Sequence, residues 1–383
     1  MCTAELLTQR IDDVSKQVIV TLQEYIVSLG FTPVIHFELE GCYHSSQTNK
    51  PINFSTINQQ LLQLNIAGEV IPEYWHQQWE YVSLFQGQSP LQEADYLSRA
   101  IKYLPFIFAQ QGVEQTLIKP VVWQGDKGKL AIGCHNIFSG EKRAVHIPNA
   151  IQMNVSVKNS EDHNIIVDAS FGEYLQQCFL ETSKESSLLY LPEEEAFERF
   201  ALKTKYGLAE ELCSPNDISG GHQGSIALYK ERGKHNQLMG EEPLLYDHHN
   251  NVLLSENDWQ KFARIEHRLG ASSVYYNAYL NVIYGLLNII DALDVFIDNQ
   301  CTAQLKTTVC QSQLPVSLYC QNEELGAIEL FNQETWFAAS INKVDSIVRQ
   351  KNHKQTTLSE KIGDKLKAMI LANYQIPSII TNE

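Results

Sequence analysis

Apolar residues recur at helical spacing near the start of the chain (Leu6, Ile11, Val14, Val18, Leu22, Ile26), and Gly30 follows as a stop signal. This pattern predicts a helix over about 3–29. The period then drops to two. Across 34–43, Phe37 and Leu39 face one way while His36, Glu38 and Glu40 face the other, which predicts a strand. Two carboxylates two positions apart on one face repel each other unless a cation sits between them.

The segment 65–84 carries Gly68-Glu69-Val70-Ile71-Pro72-Glu73 and then Gln78-Trp79-Glu80-Tyr81-Val82. It reads as two short strands joined by a loop, with Glu69 or Glu73 and Glu80 available to one pocket. Ser89-Pro90 opens an amphipathic helix that runs to 111, with Glu93 and Asp95 in its first turns and Gly112 after its end. A strand over 116–123 containing Lys119-Pro120 is expected next, followed by a turn at 125–128 and a second strand ending Gly133-Cys134-His135-Asn136. Small and polar neighbours around His135 suit a ligand better than a core histidine.

Further along, 141–163 reads as irregular surface structure with a strand, and 168–190 as one helix ended by Pro192. The acids Glu193-Glu194-Glu195 read as a solvated helix start. The stretch 203–229 is rich in turn signals, including Ser219-Gly220-Gly221. Arg264, Glu266 and Arg268 then alternate along a strand, so the three side chains project from one face. A carboxylate held between two guanidiniums is poor scaffolding and a useful metal ligand beside phosphate-binding cations. A buried helix over 275–293, a small β unit over 301–330 and two amphipathic helices (333–350 and 358–374) complete the pattern.

Composition narrows the class. The 383 residues are 44% hydrophobic and 10% aromatic, ample for a large core. A formal net charge of −16 argues against a nucleic-acid binder and against an anionic membrane surface as partner. The eight cysteines form no CxxC pair, so reduced thiols and a cytoplasmic location are expected. The chain shows no leader pattern, and the apolar run before residue 293 is interrupted by Asn277, Asn281, Asn288 and Asp291.

In their order, Glu38-Leu39-Glu40, Gln78-Trp79-Glu80, Lys119-Pro120 with Gly133-Cys134-His135-Asn136, Asn216-Asp217-Ile218-Ser219-Gly220-Gly221, Arg264-Ile265-Glu266-His267-Arg268 and Asn277-Ala278-Tyr279-Leu280 resemble the catalytic domain of glutamine synthetases. The resemblance implies an α+β fold with a curved, mostly antiparallel sheet flanked by helices over 1–295, with 296–383 as a C-terminal α/β extension packed on it. It also implies an ATP-dependent ligase that activates a glutamate-like carboxylate as an acyl phosphate for attack by an amine. Mg2+ or Mn2+ would be the cofactor and ATP the cosubstrate. Carried over, one metal looks to Glu40, Glu69 or Glu73, and Glu80, and the other to Glu38, His135 and Glu266. Arg268 falls where the family contacts the transferred phosphoryl group, and Glu211 where a mobile glutamate accepts the proton of the amine.

Substrate and nucleotide positions of the family fall on Lys205, Ser225, Lys230 and Arg264. Lysine and serine at the first three replace arginines and lose the two-pronged geometry, and with a different register in this loop Arg199 would compensate for Lys205. With Glu38 so near the start, the family's N-terminal β-grasp domain is expected to be missing. Without that domain an amine larger than ammonia is expected, and the assembly is expected to be a homo-oligomer or to include a partner chain. Two alternatives stay open: a regulatory or partner subunit that no longer ligates, and a phosphotransferase of the guanidino-kinase type.

Overall fold

The computed structural model describes residues 3–45, 52–73, 77–84, 86–124, 145–168, 170–206, 226–230, 245–246, 252–253, 259–298, 314–351 and 361–375. Its strands are β1 (Phe31–His44), β2 (Gly68–Pro72), β3 (Gln78–Ser83), β4 (Gln115–Leu117), β5 (Val121–Gln124), β6 (Val145–Pro148), β7 (Ala150–Asn159), β8 (Ile226–Tyr229), β9 (Leu245–Tyr246), β10 (Val252–Leu253) and β11 (Arg264–Ala271). Six of them form an antiparallel path in the order β2-β3-β1-β7-β11-β8, with β4 paired on β1. The pairs β5-β6 and β9-β10 stand apart from it.

The helices are α1 (Thr3–Ser28), α2 (Phe54–Gln63), α3 (Pro90–Gln110), α4 (Phe171–Thr182), α5 (Glu195–Tyr206), α6 (Trp259–Phe262), α7 (Ala278–Ile297), α8 (Ala327–Gln333), α9 (Trp336–Lys351) and α10 (Ile362–Gln375). Alternation decides which side of the sheet they cover. Ile35, Phe37 and Leu39 of β1, Ile151, Met153 and Val155 of β7, and Trp79 and Tyr81 of β3 are all buried. They face the layer of α1, α3, α4 and α7, and α9 and α10 pack behind it on α1. Gly41 is needed on this face because a Cβ there would collide with the Trp79 indole.

The helix starts follow their local chemistry. Ser89 and Gln92 form a reciprocal capping box with Pro90 in the first turn of α3. The Asn277 side chain accepts the Leu280 N–H at the start of α7. By length and composition α7 is apolar enough to cross a membrane, yet 72% of its most apolar window is buried inside the chain. Its buried Asn288 accepts from Thr182 Oγ1 at 2.9 Å.

Several expected boundaries differ. The helix expected over 168–190 is α4 with single 3-10 turns on either side, Ile165–Val167 and Ser187–Leu189. The Ser183 hydroxyl donates to the Phe179 carbonyl at 2.5 Å, a side-chain bond that competes with the backbone ladder where α4 ends. Pro120 interrupts the strand expected over 116–123, leaving β4 and β5. Within the β unit expected over 301–330, the described part is turns and a Gln321–Glu324 bridge before α8 begins. The acid run before α5 is not simply solvated, because Glu194 accepts from the Ser317 hydroxyl at 3.0 Å and the Leu318 N–H at 2.9 Å.

Candidate functional site

The face of the sheet opposite the helices carries the acids. Glu40 of β1 lies directly across from Glu80 of β3, and Glu38 lies across from Gln152 of β7. Asn154 of β7 is opposite His36 on one side and Glu266 of β11 on the other. Strand pairing therefore brings Glu38, Glu40, Glu80 and Glu266 onto one surface, from positions far apart in the chain. His36 turns away from them: its Nδ1 is 3.3 Å from Glu93 at the start of α3.

One hydrogen-bonded chain ties this surface together. Glu40 accepts from the Ala150 N–H at 2.7 Å and from Gln152 Nε2 at 3.2 Å. Gln152 Oε1 accepts from Arg268 Nε at 2.9 Å, and the same nitrogen donates to Glu266 at 2.5 Å. Arg264 Nη2 donates to the other Glu266 oxygen at 3.1 Å, and its Nε to Asn154 Oδ1 at 2.8 Å. Asn154 closes the chain by donating to Glu38 at 2.9 Å. Each amide thus has one end turned to a guanidinium and the other to a carboxylate, which fixes its orientation.

The electrostatics follow from enclosure. Burial pushes the Glu40 carboxyl up to about 7 against the donors it accepts from, and the nearby Glu73 charge pushes it further the same way. Glu38 is raised first by desolvation of its carboxyl and next by Glu266. His267, between Glu266 and Arg268, points to the opposite side. It is packed among Phe179, Tyr190 and Tyr284, and burial lowers it to about 3, so it is a neutral core residue.

Local backbone geometry sets the arginines. The β7–β11 register shifts between His267 and Gly270, so Arg268 sits at a bulge. A Cβ at Gly270 would run into the Ile151 carbonyl. Arg199, expected at the substrate, is fully buried in α5 and clamps this bulge instead. It donates to the carbonyls of Arg268 at 2.6 Å, Leu269 at 3.4 Å and Gly270. Arg199→Lys retains the charge and loses the fork, so a stability loss of about 1.5–3 kcal/mol is expected in denaturant unfolding. An unchanged midpoint would show that the clamp carries no weight.

The remaining expected residues are placed as follows. Lys230, just past β8, is paired with Glu173 of α4 at 2.8 Å. Glu69 of β2 is opposite Val82 and exposed, whereas Glu73 follows the strand and bonds through its N–H to the Gln78 carbonyl. Of these two, Glu73 is the acid whose charge reaches Glu40. The side chain of Lys205, together with His135, Glu211 and Ser225, lies outside the described residues.

Carboxylate oxygens on neighbouring strands are hard donors, the kind a divalent cation such as Mg2+ takes. Glu40, Glu73 and Glu80 fit such an ion by donor chemistry. Glu266 has both oxygens on guanidiniums, and among the described residues no group of three or more acids, histidines or cysteines converges as a ready site.

Sequence reasoning missed Gln152, Asn154 and Tyr229. Two amides alternating through an otherwise apolar strand, Ile151-Gln152-Met153-Asn154-Val155, were the available signal for the first two.

No protein-family model matches the sequence, and no curated protein matches it. Solved structures do. The chain is similar to a novel glutamine synthase homolog with a TM-score of 0.56 and 13% identity, over 94% of this chain and 75% of that one. It is similar to GmaS without ligand (TM-score 0.52, 12% identity, 90% and 75%). It is similar also to a GmaS complex with ADP (0.53, 10%, 90% and 75%). The α+β architecture of helices on an open antiparallel sheet is therefore a glutamine synthetase-like fold.

Proposed function

We propose that this chain is an ATP- and Mg2+-dependent carboxylate–amine ligase. In this reading a side-chain carboxylate of a glutamate-like acid attacks the γ-phosphorus of ATP and releases ADP. An amine other than free ammonia then attacks the acyl carbon, phosphate leaves, and the amine gives up a proton to Glu211. The observation that carries the reading is the placement of Glu38, Glu40, Glu80 and Glu266 on one face with Arg264 and Arg268 among them. The fold's likeness to GmaS, one structure of which holds ADP, supports it.

Arg268 would contact the transferred phosphoryl group, and Arg264 would draw the second anion to the same surface. Glu40, Glu73 and Glu80 would hold Mg2+ or Mn2+, which when bound supplies the positive charge that lets two anions approach. Cys42, Cys178 and Cys320 are free thiols, as suits a cytosolic enzyme supplied with ATP.

The test is ADP release with magnesium, L-glutamate and a panel of amines, with hydroxylamine as the trap. Hydroxamate that depends on glutamate and ATP is the expected result. ADP without hydroxamate would replace the ligase by a phosphotransferase. A second reading, a partner subunit that no longer ligates, is favoured by Glu266, whose two oxygens are already held by arginines. Its signature would be a stable complex with another chain and no heat of nucleotide binding.

A further inference from the structure

Tyr229 stands out among the buried polar groups. It ends β8 directly opposite Arg264, so both side chains rise from the acid-bearing face. The Arg264 guanidinium lies over its ring at 4.8 Å. The residue is 2% exposed, and its hydroxyl oxygen is buried with no hydrogen-bond partner among the described residues. Tyr81 also has a buried unpaired hydroxyl, but it faces the helix layer. The Tyr229 hydroxyl instead lies among four charges, Glu266, Arg268, Arg264 and Glu38.

A buried phenol with nothing to donate to is unfavourable, and the Glu266 carboxylate, the charge that weighs most on it, is already held on both oxygens by Arg264 and Arg268. We propose that Tyr229 is a substrate-binding residue whose hydroxyl donates a hydrogen bond to an anionic oxygen, carboxylate or phosphoryl, drawn in by Arg264 and Arg268. The inference deepens the ligase reading by naming one further contact to its substrate.

The chemistry is specific to a neutral donor. Burial and the two glutamates keep the phenol protonated far above neutral pH, so it presents an O–H to an anion and never a competing charge. Arg264, with 23% of its side chain exposed, links the group to solvent. An anion that engages this guanidinium therefore arrives over the Tyr229 ring.

The experiment compares the full chain with Tyr229→Phe, which keeps the ring under Arg264. Binding of inorganic phosphate and of L-glutamate is followed by calorimetry, with denaturant unfolding alongside. The expected result is binding of at least one anion by the wild type and roughly ten- to hundredfold weaker binding by the variant. The unfolding midpoint should stay the same or rise, since an unpaired hydroxyl is removed. Loss of affinity for phosphate alone assigns the oxygen to a phosphoryl group, and loss for glutamate alone assigns it to the carboxylate.

Equal affinities, no binding of either anion by the wild type, or a lowered midpoint would each overturn the proposal. If the wild type binds an anion through Tyr229 but forms no hydroxamate, the ligase reading fails and this contact stands. If it forms hydroxamate at the same KM and kcat as the variant, the contact fails and the ligase stands.

Discussion

Glu266→Ala is expected to lose stability as well as turnover. The glutamate side chain is 3% exposed and is held by Arg268, itself 4% exposed, and by Arg264. Removing it strands two guanidiniums, one of them enclosed, and breaking a buried pair from one side costs about 3–5 kcal/mol. The neighbours spread the damage, because Arg268 also holds Gln152 and Arg264 holds Asn154, the donors to Glu40 and Glu38. Denaturant unfolding should show a large drop in midpoint.

A double variant, Glu266→Leu with Arg268→Met, should recover much of that stability, since the enclosed pair is replaced whole by apolar groups and only Arg264, 23% exposed and still bonded to Asn154, is left without its carboxylate. It should not recover hydroxamate formation. Recovery of both would mean that the pair serves the scaffold alone. A wild-type midpoint in Glu266→Ala would mean that the ion pairs contribute nothing.

Which side the acids and arginines face was legible, whereas His36, set with them by spacing, turns to Glu93 instead, and which residues meet was much less so. A period of two is a local property, so Glu38 with Glu40, and Arg264 with Glu266 and Arg268, declare a common face from their spacing. Register across β1, β7 and β11 is not local. It makes Gln152 and Asn154 the connecting amides, and only the pairing shows it.

The bulge at Arg268 depends on Arg199, sixty-nine positions upstream, and so arises from long-range packing rather than from a motif. Tyr229 was hidden for a different reason. A tyrosine on a short apolar strand reads as core, and its register opposite Arg264 is what sets it on the acid face. Breakers such as Pro120 and Ser183 are visible in the sequence, but the apolar period runs on across both and masks the ends that they set.

The titration of Glu40 should make stability fall with rising pH when no divalent cation is present. Its carboxyl takes up protons up to about 7 in the folded chain against 4.5 ordinarily, so the folded state binds the proton more tightly than the unfolded one. The contribution is complete below about 4.5 and is lost as pH rises through about 7. The difference corresponds to about 3–4 kcal/mol at roughly 1.4 kcal/mol per pH unit. Glu38, raised by enclosure and by Glu266, acts in the same direction.

A divalent cation on the ionised acids would reverse the trend, because it binds the deprotonated form and stabilises the fold in proportion to its occupancy. Mg2+ should therefore raise the unfolding midpoint more at pH 8 than at pH 5.5. Glu40→Gln separates this group from every other titration. It still accepts the Ala150 N–H but turns an amide toward Gln152, an offset of about 1 kcal/mol that does not vary with pH. Relative to the wild type, the variant should gain stability as pH rises from 5 to 8 in chelator, and it should lose its response to Mg2+. A wild type whose midpoint ignores Mg2+ at pH 8 would remove the cation from this face and leave the arginines as its only counter-charges among the described residues.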